Sequence, residues 1–297
     1  MSEEDLSDKL VITAALTGVA TGKSQNPAVP YTAEEFGDEA KKCFDAGAAI
    51  VHIHARNPEI GNPTHELEII KAVLDNIKGK APDILINLSS AISLIVTDKQ
   101  RITPVTTFKP QIASLNSNSM NFAVGDHKTG AVGLGAKAIF ANTFNTIQKF
   151  AKAMKKAEVK PEIEIYDFGG MYNMLHLAKQ ESKRILDLPL HFQFVFGVLG
   201  GVPFSFENLG HFLNLKPPDA SWSVCGVSKQ QFQAAMCAAP MGGHIRVGLE
   251  DNIRMPDGRL AKGSWEQVEW AAKVARIVNR EPATPDEARK IFNLYQK

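Results

Sequence analysis

Two histidines two residues apart carry the sharpest chemical signal in this chain. In VHIHAR (51–56), His52 and His54 stand at i and i+2 of a β-rich run. Side chains alternate along a strand, so both rings point to the same side. Two neutral imidazoles on one face supply two of the three protein ligands that a catalytic zinc takes. The plainer reading is two polar rings hydrogen-bonded in an interior. A third ligand must come from elsewhere, and GGHIRVGLEDN (242–252) is the best source. There Glu250 and Asp251 end another β-rich run, with Arg246 four residues before Glu250. Adjacent acids at a strand end point in different directions, so one reaches the metal. The other is placed as a general base that Arg246 keeps ionised. Taken alone, the two acids read as a solvated turn.

Further polar residues fall at or near the ends of other runs. Ser89 closes DILINLS with Ser90 directly after it, and Ser114 and Asn116 lie in QIASLNS. Hydroxyls and free backbone N–H groups there suit a substrate carboxylate, although such serines are also ordinary strand-end caps. Glu164 lies within EIEIYDF, two residues after Glu162. A buried acid needs a partner, so Glu164 belongs either to the site or to a core ion pair. His244 opens its run at the opposite end and reads as structural. Gly18 reads as a turn, and the glycine clusters at 197–201 and 241–244 either bring backbone close to a phosphate or shape turns.

These residues need a scaffold that brings distant runs to one place. Eight β-rich runs recur, at 10–18, 48–55, 83–89, 111–117, 162–168, 190–197, 220–226 and 244–251. Several are almost continuously apolar, as strands covered on both faces are. Helical segments lie between them at 32–47, 64–80, 142–159, 228–239 and 263–280, two of them with capping-box signatures at Thr32 and Thr64. Thr284 reads as the cap of a short C-terminal helix. The crossovers after the third and sixth runs are weak: 97–110 has two prolines, and 200–215 is short for a full helix. The pattern predicts a single (β/α)8 TIM barrel, an α/β fold, as one domain over 1–297 with a short polar N-terminal extension. No GxGxxG follows the first run, which counts against an open doubly wound sheet. Barrel enzymes build their sites at the C-terminal ends of the strands, where His52, His54, Glu250 and Asp251 would gather.

Composition narrows the class. The 297 residues are 44% hydrophobic with a formal net charge of +1. A sizeable core is therefore affordable, and no basic excess recruits nucleic acid or an anionic membrane. No signal-peptide pattern or apolar run of spanning length occurs. Three cysteines without a CxxC pair fit a reducing compartment, so the cytoplasm is expected.

In this order, VITAALTG, VHIHAR, INLS, ASLNS, PEIEIYDFG, FVFGVLGG, GGHIRVGLEDNI and ATPDEAR resemble the β-keto acid cleavage enzyme family across nearly the whole chain. The resemblance implies a zinc-bearing barrel that forms a homo-oligomer, with a tetramer favoured. It implies acetyl-CoA as co-substrate, and a reaction in which a β-keto acid and acetyl-CoA give acetoacetate and a new acyl-CoA. The family's metal ligands fall on His52, His54 and Glu250, its base on Asp251 and the paired arginine on Arg246. Its carboxylate-holding residues fall on Ser89 and Ser114, and a further pocket acid on Glu164. Members acting on an amino-bearing keto acid, 3-oxo-5-aminohexanoate, carry an acid after the first strand. Here that position is Ala20, and a glycine pair after the third strand is replaced by Ser90-Ala91-Ile92. A substrate without the amino group is therefore expected. Two other classes remain open: a zinc hydrolase of amidohydrolase type, which places its HxH on the first barrel strand, and a non-catalytic metal-binding barrel.

Overall fold

The eight runs form eight parallel strands: β1 (Ile12–Thr17), β2 (Ile50–Ile53), β3 (Leu85–Leu88), β4 (Ile112–Asn116), β5 (Lys160–Ile165), β6 (His191–Phe196), β7 (Ser221–Gly226) and β8 (His244–Val247). Each pairs with the next, and β8 returns to β1 with Arg246 opposite Thr13, so the sheet closes into a barrel. Closure leaves no sheet edge to protect. The structure is a computed structural model and describes residues 6–93, 95–126, 129–133, 135–180 and 184–296. Most of the expected N-terminal extension, residues 1–5, lies outside the described residues.

Helices alternate with the strands: α1 (Ala33–Asp45), α2 (Leu67–Lys80), α3 (Asp98–Phe108), α4 (Phe144–Lys156), α5 (Phe168–Ala178), α6 (Phe206–Leu215), α7 (Gln230–Ala238) and α8 (Ser264–Ile277). The box that starts α1 is complete: Glu35 N donates to Thr32 Oγ1 at 3.2 Å, and Thr32 N donates to Glu35 Oε2 at 3.0 Å. The box expected at Thr64 does not form. Thr64 Oγ1 accepts from Glu66 N, the helix begins at Leu67, and Gly79 lies inside α2 rather than ending it.

Both weak crossovers hold helices. In α3, only Pro104 of the two prolines falls inside, and a Thr97–Gln100 capping box starts the helix. In α6, Ser205 caps ten helical residues. The sequence pattern also hides α5, whose first turn carries Gly169 and Gly170. Glycine lowers helix propensity, but Asp167 Oδ1 accepts from Gly170 N at 2.7 Å and fixes the start.

Between β4 and α4 the chain makes an excursion at the C-terminal end of the barrel. Met120–Asn121 pairs with Ile139–Phe140, and Gly125–Asp126 with Ala131–Val132. An isolated bridge joins Ala123 to Leu199 in the loop after β6. The opposite end of the barrel is plugged. After α9 (Pro285–Ile291), Phe292 stacks on His191 with ring centroids 3.8 Å apart and meets the edge of His244. Around it pack Val11, Ala49, Ile50, Leu85 and Ile112, from the strand starts. No helix among the described residues is long and apolar enough to cross a membrane.

Candidate metal and acid–base site

His52 lies within β2 and His54 just beyond its end, both buried. Two glycines let the third ligand reach them. Gly248 turns the chain after β8 so tightly that a Cβ there would run into the Ala15 carbonyl. A Cβ on Gly18, at the end of β1, would press into the Glu250 side chain, 2.9 Å from its Cδ. With that space free, Glu250 Oε1 lies 3.4 Å from His54 Nε2, and Oε2 lies 3.7 Å from His52 Nε2. One ligand atom from each of the three residues falls within 4.8 Å of the others.

The neighbouring acid points elsewhere. Arg246 grips Asp251 with both edges of its fork, Nε to Oδ2 and Nη2 to Oδ1, each at 2.9 Å. The same Nη2 donates to Glu250 Oε1 at 2.6 Å, and Nη1 lies 3.5 Å from Glu164 Oε1. Arg246 thus joins three acids across the barrel mouth. Glu164 also accepts from the Tyr166 hydroxyl at 3.1 Å. Glu162 is in a different network, deeper in the barrel, accepting from Asn87 Nδ2 at 2.6 Å and facing His191.

Burial and charge divide these groups by protonation. Burial pulls His52 down to about 4, against the pull of Glu250, so its ring is neutral at pH 7 and keeps a lone pair to give. Burial raises Glu250, but Arg246, His54 and His52 together hold it below the ordinary carboxylate range. Burial lifts Asp251 above its ordinary value; Arg246 opposes this and the Glu250 charge adds to it. Glu164 is pushed up to about 8 by burial, with Arg246 again opposing.

This donor set fits a divalent cation. Among the described residues, neither ring nitrogen of His52, nor His54 Nδ1, nor Glu250 Oε2 has a hydrogen-bond partner, although all are buried. Buried polar atoms are normally satisfied, so a cluster left open and aimed inward points to a bound ion.

The serines lie beside this cluster. Ser89 N donates to Ile53 O, next to His54, and Ser89 and His54 line the same small cavity. Ser89 Oγ accepts from Ala91 N at 3.1 Å, and Ser114 Oγ from Ser90 N at 3.0 Å. Each hydroxyl proton remains for another acceptor. Ala20 is exposed in the loop after β1.

Three contributors escape a reading of types and spacing. Gly18 acts by having no side chain. Arg56, the last residue of VHIHAR, donates to the carbonyls of Gly18, Thr21 and Gly61 and so fixes the loop that carries Ala20. Its place in the motif was its only signal. Arg101, in α3, binds the carbonyl of Ser90 at 2.9 Å.

The chain is similar to known proteins. A family model described as beta-keto acid cleavage enzyme matches residues 9–294. The 3-keto-5-aminohexanoate cleavage enzyme of Fusobacterium nucleatum subsp. nucleatum is 39% identical over 289 residues, 97% of this chain and 99% of that protein. The 3,5-dioxohexanoate:acetyl-CoA acetone transferase of Paraburkholderia graminis is 33% identical over 301 residues, 96% of each chain. Among solved structures, ObcA in binary complex with oxaloacetate superposes with a TM-score of 0.69 at 20% identity. The match covers 91% of this chain and 68% of that one, and shows a common fold.

Proposed function

The chain belongs to the beta-keto acid cleavage enzyme family, and from that premise we propose that it converts a β-keto acid and acetyl-CoA into acetoacetate and a new acyl-CoA. The observation that carries this reading is the His52–His54–Glu250 cluster joined through Arg246 to Asp251. It supports a zinc ion held by the first three residues beside a base held by the fourth. When bound, the ion supplies a fixed positive charge where the keto oxygen gains negative charge.

The chain's own groups do the rest. The Ser89 and Ser114 hydroxyls donate to the substrate carboxylate. Asp251, gripped by Arg246 and made more basic by burial, takes a proton from the carbon between the keto and carboxylate groups. That carbon attacks the acetyl carbonyl of acetyl-CoA, and the thiolate leaves. The thiolate adds to the former keto carbon, the bond between that carbon and the attacking one breaks, and Asp251 returns its proton as acetoacetate departs. Glu164, protonated up to about pH 8, offers a neutral donor in the same mouth.

The substrate tail is neutral or apolar in this reading. Ala20 offers no charge to an ammonium group, which would be poorly held without a carboxylate. An apolar cluster of Met120, Phe140, Tyr166, Val195 and Cys225, with Ala91, Phe122 and Val198 against it, lies at the same end of the barrel. The relatives' names also differ in the tail, amino in one and oxo in the other. Assembly as a homo-oligomer is part of the same proposal, supported by exposed Val124, Val132 and Ile139 on the excursion. A panel of β-keto acids assayed with acetyl-CoA tests the substrate. The highest kcat/KM should fall on a tail without charge, and a clear preference for 3-oxo-5-aminohexanoate would contradict it.

A further inference from the structure

We infer that Arg101 is a positioning residue that sets the pocket for the carboxylate end of the keto acid. The inference rests on the proposed roles of Ser89 and Ser114. Arg101 stands on α3 and is buried, its guanidinium 5.5 Å from the Phe140 ring centroid and 5.0 Å from that of Phe150. Its three nitrogens reach three different acceptors. Nε donates to Ser90 O at 2.9 Å, Nη1 to Ala141 O at 3.0 Å and Nη2 to Asn142 Oδ1 at 2.7 Å.

Those acceptors tie the mouth together. Ser90 is the residue whose N–H donates to Ser114 Oγ and whose hydroxyl donates to Ser114 O, at 2.8 Å. Moving Ser90 therefore moves the Ser114 hydroxyl and the neighbouring Ser89. Asn142 passes the hold to the other foot of the excursion: its N donates to Ser119 Oγ and its Nδ2 to Asn118 O. Asn118 Nδ2 in turn donates to Asp167 Oδ2, the cap of α5, at 2.7 Å. One guanidinium thus anchors the loop after β3, both feet of the excursion after β4, and through them the start of α5.

Stability alone is a poor account of this arginine. Among the described residues, no carboxylate lies within ion-pair distance of it, and its acceptors are two carbonyls and an amide oxygen. A buried cation without an ion-pair partner is costly. Arg101 brings that charge to the loop that carries Ser89 and holds Ser114, where it favours an anion. A lysine would keep the charge but not the planar fork that reaches three acceptors on two segments.

Kinetics of Arg101→Lys and Arg101→Met, with calorimetric binding of acetoacetate, test the inference. In Arg101→Lys, KM for the keto acid and Kd for acetoacetate should rise at least about tenfold, as misplaced binding groups do. KM for acetyl-CoA, kcat at saturation and zinc content should stay near wild type. Arg101→Met, which also loses the charge, should lose more. Ser90→Ala, which deletes only the hydroxyl bond to Ser114, should shift the same constants in the same direction by less. Unchanged keto-acid KM and acetoacetate Kd in all three variants overturns the inference. So does a parallel loss of kcat and zinc, which marks a merely structural role. Wild-type protein that binds acetoacetate but does not turn over a keto acid with acetyl-CoA sinks the proposed function, while the binding series still decides this inference.

Discussion

Glu250 and Asp251 are adjacent in sequence and face different partners. The turn at Gly248 aims one at the histidines and the other at the open edge of Arg246. Strand alternation made the histidine pair legible, and the strand-end position made the acids legible. Which acid faces the histidines depends on the empty space at Gly18, and no residue-type rule announces a missing Cβ. Gly18→Ala should therefore push Glu250 off the histidines. Chelator competition should show weaker zinc binding, by about tenfold or more, in a protein that still folds. Wild-type zinc affinity would contradict that geometry.

Glu164 gives a second residue-scale test. Its folded pKa, about 8, stands above the ordinary 4.5. A carboxyl raised on folding stabilises fully below its unfolded pKa, and that contribution is lost as pH rises through the folded value. Between pH 5 and 9, Glu164→Gln should therefore gain Tm relative to wild type. A constant offset across this range would contradict the assignment.

At the scale of elements, the strands were readable because a buried parallel strand writes a nearly unbroken apolar run. Helices α1, α4 and α8 followed from spacing and caps. The segments that misled were those where one local signal outweighed the rest. Two prolines concealed α3, and with it Arg101; two glycines concealed α5; Thr64 offered a cap two residues too early. The excursion after β4 has no long periodic stretch to betray it, being built from two-residue pairings and turns. The segment after α9 closes the far end of the barrel through Phe292, which is 1% exposed. Phe292→Ala should cost about 3–5 kcal/mol of stability by the usual penalty for emptying such a site. Denaturant titration measures it, and the folded fraction should keep its zinc and its keto-acid KM. A lost zinc site would contradict the separation of plug from chemistry.

At the scale of the molecule, the barrel explains why residues from 18 to 251 meet at all. Parallel strands put all their C-terminal ends on one rim, and every proposed functional group lies on that rim or in the loops above it. The acyl exchange proposed for this rim has a signature in atoms. The attacking carbon comes from the keto acid, and the acetyl unit it captures comes from acetyl-CoA. Acetyl-CoA labelled in its acetyl group, incubated with a β-keto acid and the purified protein, measures this directly. Label should appear in the acetyl end of acetoacetate and not in the new acyl-CoA. Label that stays in acetyl-CoA or appears as free acetate while the keto acid is cleaved would contradict it.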